Sequence, residues 1–364
     1  MPWRTGILVL SFFALVGVIQ YPRVMEFVRY SVATERKIEV PLPGIAAQSP
    51  GQFSNEVHIN TRVVPESQLT IGDLKLMALE YINTDRALHG LAPVTMGNNP
   101  AAQQHAEDMV SGRYLGHWWL DGRKPYMVYT ETGGDSYVSE NAARTGFTDA
   151  EYADLCKGIS VRCEKVNPVD DIKRLHNAMV YDDASSNWGH RDNILNPGHR
   201  QVNIGIAYTD QFLALVQHFE GGDLTSTRTP SLTGTTLRLR ADINVPGLRV
   251  FPTVNVFREP FPEPHTATEI EQFTSYCVGG GFSENCGTPV ARVIPPPPSG
   301  SRYVNLPGNV VIARSWVISG DDIQIVADLG ELAAEPGVYT TALYADTGNS
   351  VSGSLLLQLT VTQE

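Results

Sequence analysis

Two histidines and a glutamate, His117, Glu140 and His190, are the residues of this sequence best suited to chemistry. His117 stands beside two tryptophans, Glu140 lies in a Ser-Glu-Asn turn, and His190 lies in the stretch WGHRDNIL. Two imidazoles and one carboxylate are sufficient ligands for a divalent metal with an open coordination position. Their spacing alone is not specific, because three unrelated hydrogen-bonded side chains would give the same pattern.

Helices that would position these residues are predicted from capping signals and hydrophobic periodicity. Thr70, with Asp73 three residues later, predicts the start of a helix with one apolar face, and Gly90 predicts its end. Asn99 followed by proline predicts the start of a second helix. A third helix is predicted over residues 169 to about 181.

Strands are predicted in the second half of the chain. Residues 202–208 and 212–219 read as two strands, and the turn between them predicts a hairpin. Helices followed by antiparallel strands are typical of a layered α+β domain. Further alternating segments near 323–325, 337–345 and 355–361 predict a small sandwich-like β domain.

The predicted domain order follows from these elements and from composition. An extended connector rich in proline is expected over 34–66, and a stretch rich in threonine, serine and glycine predicts a linker over 223–236. The connector precedes an α+β domain at 67–222, and the linker separates this domain from an all-β domain at 237–364.

The first 33 residues are expected to carry an export signal. An apolar run from Ile7 to Ile19 follows Arg4, as in the hydrophobic core of a secretory signal. Extended to Tyr21, the run is just long enough to cross a bilayer. It is interpreted as an uncleaved membrane anchor or a cleaved signal peptide, and either predicts an extracytoplasmic protein.

The four cysteines form two local pairs along the chain. In an oxidising compartment we expect a Cys156–Cys163 disulfide and a Cys277–Cys286 disulfide. Each would close a short loop and stabilise the fold by roughly 2–3 kcal/mol.

The net charge of −12 argues against one class of partner. An acidic chain without a cluster of lysines and arginines repels phosphate backbones. No binding of nucleic acid is therefore expected.

Several short fragments follow one another in a characteristic order. They are YINTDR at 81–86 with GLAP at 90–93, AQQHAEDM at 102–109, GH at 116–117, SEN at 139–141, HRDNIL at 190–195, NIGIA at 203–207 and VQHF at 216–219. In this order they resemble the CAP superfamily (cysteine-rich secretory proteins, antigen 5, pathogenesis-related 1), and the resemblance covers about residues 68–221.

The resemblance implies an α-β-α sandwich with a cavity lined by two histidines and two acids. His117, Glu140 and His190 match three of these positions. The second acid is Asp182 or Asp183, and Asp183 is slightly favoured. Serine at position 139 departs from the glycine that is usual in the family.

The remaining histidines have no predicted role in the cavity. His105 falls on the apolar face of the second helix and is interpreted as a core histidine. No partner is predicted for His176, His199 or His218.

Three functions are compatible with the predicted fold and the candidate cavity residues. The first is a binding module that holds zinc or another divalent ion beside a groove for a lipid, glycan or protein ligand. The second is a hydrolase in which His117 or His190 is the general base and Glu140 orients it. No GxSxG motif surrounds Ser139 or Ser186, so a serine nucleophile is not favoured. The third is a structural or adhesive role at the cell surface.

Overall fold

A computed structural model describes residues 36–42, 61–147, 165–273, 275–277, 287–346 and 355–363. The helices are α1 Ile71–Leu88, α2 Ala101–Gly112, α3 Pro125–Glu131, α4 Pro168–Tyr181, α5 Gly189–Ile194 and α6 Ala267–Ile270. The strands are β1 Lys37–Pro41, β2 Thr61–Pro65, β3 Thr95–Met96, β4 Val138–Gly146, β5 Gln201–Tyr208, β6 Phe212–Glu220, β7 Leu224–Thr233, β8 Thr236–Ile243, β9 Val254–Glu259, β10 Thr288–Ile294, β11 Val310–Ile312, β12 Ser315–Ser319, β13 Asp322–Asp328, β14 Gly337–Tyr344 and β15 Leu355–Gln363.

The helix starts follow the predicted caps. The Thr70 hydroxyl accepts the amide N–H of Asp73 at 3.2 Å, and the Asp73 carboxylate accepts the amide N–H of Thr70 at 3.0 Å. This reciprocal capping box fixes the first turn of α1. The side chain of Asn99 accepts the amide N–H of Ala101 at 3.0 Å and thereby caps α2.

A four-stranded sheet in the order β3-β5-β6-β4 forms the middle layer of the first domain. β5 and β6 form the predicted antiparallel hairpin, and β4 pairs with the other edge of β6. Leu213 and Leu215 point to one face of β6 and share a core with α1 and α4, whereas Ala214 and Val216 point to the opposite face and pack with α2. The predicted α-β-α sandwich is therefore confirmed.

Helix α2 lies directly on this sheet. A Cβ atom at Gly205 of β5 would lie 1.9 Å from the backbone oxygen of Ala102 in α2. Only glycine permits this approach, which brings one face of α2 close to the strands.

The C-terminal region is a β domain built from two sheets. Their strand orders are β12-β13-β8-β7 and β11-β10-β9-β14-β15. Side chains from both sheets fill a common core, for example Leu239 and Ile325 from the first sheet and Val256 and Leu357 from the second. The predicted strand-rich domain is confirmed.

The predicted linker over 223–236 is wrong, because most of it forms β7. Strand β7 pairs with β8 and buries Leu224 completely in the core of the β domain. Threonine favours strands as well as loops, and the apolar residues are too few to reveal the strand by composition.

The predicted connector over 34–66 is extended in its described parts, but it belongs to the first domain. Strands β1 and β2 pair antiparallel, and Val40 and Val64 are buried against the core that contains α1. Residues 43–60 lie outside the described residues.

The predicted export segment, residues 1–33, and Cys156, Cys163 and Cys286 also lie outside the described residues. The disulfide pairing and the anchor stay predictions. Within the described ranges, no helix has both the length and the apolar character needed to cross a membrane.

The Leu224→Ala substitution tests whether β7 is an integral strand. We expect the free energy of unfolding to fall by about 2–5 kcal/mol, because truncating a buried leucine leaves a cavity. The matched control is Leu306→Ala in a loop, where the side chain is 38% exposed and a change within about 0.5 kcal/mol is expected. Chemical denaturation measures both; equal losses in the two variants would contradict a buried strand.

Candidate functional site

The carboxylate of Glu140 is the centre of the candidate site. Its side chain has no solvent exposure, and three imidazoles contact its two oxygens. His105 Nδ1 lies 2.7 Å and His218 Nε2 lies 2.6 Å from Oε2, while His117 Nδ1 lies 2.7 Å from Oε1. These four residues are called the Glu140 cluster below.

Strand register and helix docking bring the Glu140 cluster together. Residues 139–141 do not form the predicted turn, because they lie within β4 and pair with β6. Glu140 on β4 and His218 on β6 are directly paired across the antiparallel ladder, so their side chains share a face. That face is the one that Ala214 and Val216 present to α2. His105 reaches it from the buried side of α2, and His117 reaches it from the loop that follows α2.

The Glu140 carboxyl is ionised despite its burial. Burial alone would raise its pKa, but the charge interaction with His105 and hydrogen bonds from all three imidazoles outweigh burial and hold the pKa well below its ordinary value. Burial lowers the pKa of His218, so this ring is neutral at pH 7. Its one N–H is directed at Glu140.

Two ring nitrogens of the cluster remain without partners. His105 Nε2 and His218 Nδ1 are buried and have no hydrogen-bond partner among the described residues. Trp119 packs against both rings: it stacks on His105 at a centroid distance of 3.9 Å and meets His218 edge-on at 6.4 Å. Trp118 and Trp119 are each 3% exposed and therefore pack in the interior rather than lining an open groove.

A second histidine–carboxylate pair lies at the start of α5. His190 Nδ1 lies 2.7 Å from Asp183 Oδ1, and Asp183 Oδ2 accepts the amide N–H of His190 at 2.9 Å. Asp183 is buried, whereas the His190 side chain is 23% exposed. Asp182 is exposed at the end of α4, so Asp183 is the acid that faces His190.

Amide side chains join this pair to the strand that carries Glu140. Asn141 donates to the backbone oxygen of His190 at 3.0 Å. Asn193 donates to the side-chain oxygen of Asn141 at 2.9 Å and to the backbone oxygen of Glu140 at 3.3 Å. These bonds fix α5 beside β4.

The structure thus places the four residues proposed from the sequence in two contacting pairs, His117 with Glu140 and His190 with Asp183. A metal shared by all four stays a prediction.

The sequence interpretation missed two members of the Glu140 cluster. His105 is buried, as expected of a core histidine, but it also contacts the site, and no partner was predicted for His218. The signal for His218 was its place two residues after Val216 on the inward face of a predicted strand.

His176 and His199 lie elsewhere in the first domain. His176 Nε2 contacts Asp85 at 2.6 Å, and both side chains are buried. His199 Nδ1 lies 2.9 Å from the backbone oxygen of Asn193, and its ring stacks on Phe219. Both pairs hold the fold together away from Glu140.

The donors of the Glu140 cluster fit a divalent cation. One ligand atom each from His105, Glu140 and His218 lies within 4.8 Å of the others, and His117 contacts the second carboxylate oxygen. Imidazole nitrogen and carboxylate oxygen are ligands that zinc accepts, so these residues would hold an ion in place of the hydrogen bonds that they now form with one another. The two unpartnered nitrogens show that the hydrogen-bonding capacity of the cluster is not exhausted.

Fold and site together define an α-β-α sandwich with a buried histidine–carboxylate cluster. Residues 79–219 match the family described as the Cysteine-rich secretory protein family, CAP. This part of the chain is a CAP superfamily domain. No curated protein matches the chain.

Two solved structures are similar to part of the chain. One is an extracellular protein containing a SCP domain from Bacillus anthracis str. Ames, with 18% identity, a TM-score of 0.28, and coverage of 44% of this chain and 47% of that chain. The other is the CAP domain of Enterococcal PrgA, with 11% identity, a TM-score of 0.26, and coverage of 43% and 64%. This chain covers less than two thirds of either structure.

The Glu140→Gln substitution tests the electrostatic role of the carboxylate. We expect the free energy of unfolding to fall by about 2–4 kcal/mol, because charge-assisted hydrogen bonds are lost and an amide N–H then faces an imidazole N–H. The control is Glu131→Gln, which removes a 47% exposed partner of Arg123 and should cost about 0–1 kcal/mol. Urea denaturation compares the two; a loss in Glu140→Gln no larger than in the control would argue against a buried ionised carboxylate.

The burial of His199 predicts a specific dependence of stability on pH. Burial lowers its pKa from 6.5 to about 4, so between these values the unfolded state binds a proton that the folded state does not. The free energy of unfolding should therefore fall as the pH is lowered from about 6.5 to about 4, by on the order of 3 kcal/mol from this residue.

The matched comparison for this pH dependence is the His199→Gln variant. Its unfolding free energy, measured by urea denaturation at several pH values, should decline less steeply over the same window. His176 and His218, whose pKa values are also lowered by burial, contribute equally to both proteins. Parallel slopes would show that His199 does not titrate as its burial requires.

Proposed function

We propose that this protein is an extracytoplasmic binding protein whose CAP domain holds a divalent cation, best matched by zinc, at the Glu140 cluster. The observation that carries the proposal is a fully buried carboxylate contacted by three imidazoles. The secretory character of the matched family and the apolar run near the N-terminus support an extracytoplasmic location.

Burial favours binding over turnover at this cluster. The side chains of His105, Glu140 and His218 have no exposure, and His117 is 21% exposed. A bound ion would act as a Lewis acid that attracts an oxygen or nitrogen of a ligand. Such a ligand would approach from the side of His117, and a lipid, glycan or protein is the proposed partner.

Hydrolysis is the second candidate, and the His190–Asp183 pair favours it. A buried carboxylate that holds Nδ1 of a partly exposed imidazole leaves Nε2 available as a general base. Turnover of p-nitrophenyl acetate that is lost in His190→Gln and retained in His199→Gln would support this activity. Turnover equal in the two variants would argue against it.

Metal content of the purified chain tests the binding proposal. After equilibration with zinc and removal of loose ions, we expect about one zinc per chain in the wild type, since the cluster offers three to four ligands. The double variant His105→Ala/His218→Ala should lose the ion. The matched control, His176→Gln/His199→Gln, changes two buried histidines outside the cluster and should keep it.

His190→Ala decides which residues share the ion. Retention of zinc in this variant would assign the ion to the Glu140 cluster alone, whereas its loss would support the set His117, Glu140, His190 and Asp183. Circular dichroism of each variant verifies folding. A wild type that holds no zinc and no other divalent ion would overturn the proposal.

A further inference from the structure

A segment of the β domain lies over the Glu140 cluster. This segment, residues 260–273 and 275–277 between β9 and β10, is called the cover segment. Directly before it, at the end of β9, Glu259 is buried and accepts hydrogen bonds from Lys124 and Tyr126 of the first domain. Further along, the amide N–H of His265 donates to the backbone oxygen of Leu120 at 2.9 Å.

The cover segment packs closely on the loop that carries His117. A Cβ atom at Gly116 would lie 2.3 Å from Cγ2 of Ile270, and Ile270 has no solvent exposure. Phe273 packs against Trp118 at a centroid distance of 4.8 Å. A substituent at Gly116 would therefore collide with the cover segment, which indicates that the loop and the segment are fitted to each other.

Tyr276 brings the cover segment to the cluster itself. Its hydroxyl oxygen accepts the amide N–H of Glu140 at 3.2 Å. Its ring meets His117 edge-on at a centroid distance of 5.1 Å. His117 is the only member of the cluster whose side chain is exposed, and Tyr276 packs against this ring.

We propose that Tyr276 gates access to the Glu140 cluster, so that the β domain controls which solutes reach a site in the CAP domain. The gate consists of the phenol ring against the edge of His117, held by the contacts of Ile270 and Phe273 with the loop that carries His117. This proposal concerns access to His117 and does not require that a metal be bound there.

Chemical modification of histidines by diethylpyrocarbonate tests the gate, with the rate at each histidine measured by peptide mass spectrometry. In Tyr276→Ala we expect modification of His117 to accelerate by about tenfold or more, because removing the ring opens the path without a global transition. In Tyr276→Phe the rate should stay within about twofold of the wild type, because the ring that blocks the path is kept.

A matched control is Tyr303→Ala. Tyr303 belongs to the same domain, is 38% exposed, and donates to the backbone oxygen of Pro295 rather than to the CAP domain. The rate at His117 should not change in this variant. His190 serves as an internal reference within every sample, because it is partly exposed in all of them.

A second variant separates gating from unfolding. If Tyr276→Ala unfolds the domain, the buried rings of His176 and His199 will react faster together with His117. The Ile270→Ala variant is then measured instead. It removes the contact of the cover segment with Gly116 but keeps Tyr276, and it should raise the modification rate at His117 alone. Rates at His117 that are equal in the wild type, Tyr276→Ala and Ile270→Ala would overturn the gate, whatever the zinc content of the protein.

Discussion

The buried charge of Glu140 is the constraint on which the rest of this site depends. An ionised carboxylate without solvent contact costs several kcal/mol unless hydrogen-bond donors surround it. Here the donors come from three imidazoles, and the backbone N–H of Glu140 is itself bonded to Tyr276. These hydrogen-bond partners of Glu140 come from α2, from β6 through its pairing with β4, from the loop after α2 and from a segment of the β domain.

The two domains are joined by a shared core rather than by a linker. Side chains of α3, including Tyr126 and Tyr129, belong to the same apolar cluster as Leu224 and Leu357 of the β domain. A buried pair between Lys124 and Glu259 crosses the same boundary. Such contacts hold the cover segment in a defined position. Through Tyr276 the β domain therefore contacts the Glu140 cluster directly.

Local signals in the sequence were sufficient for α1, α2, α4 and the β5–β6 hairpin of the first domain. The cap at Thr70 and the β5–β6 hairpin depend on neighbours within a few residues, and both were predicted correctly. The segment 223–236 was misread because its strand is stabilised by pairing with β8 and by burial of Leu224, neither of which composition reports. Pairing with the next strand in the sequence and burial in the core of the β domain outweigh the preference of serine and glycine for loops.

The sequence by itself determined the α+β class and the helix caps, because each depends on residue type and short spacing. The assignment of His117, Glu140, His190 and Asp183 to one cavity rested on the resemblance to the CAP superfamily. Only the tertiary structure decided that His105 and His218 share the carboxylate of Glu140. These residues are 35 and 78 positions away from Glu140 in the chain and meet it through helix docking and strand register. Tyr276 is 136 positions away and reaches the site from another domain. Such contacts are set by packing, which no local pattern encodes.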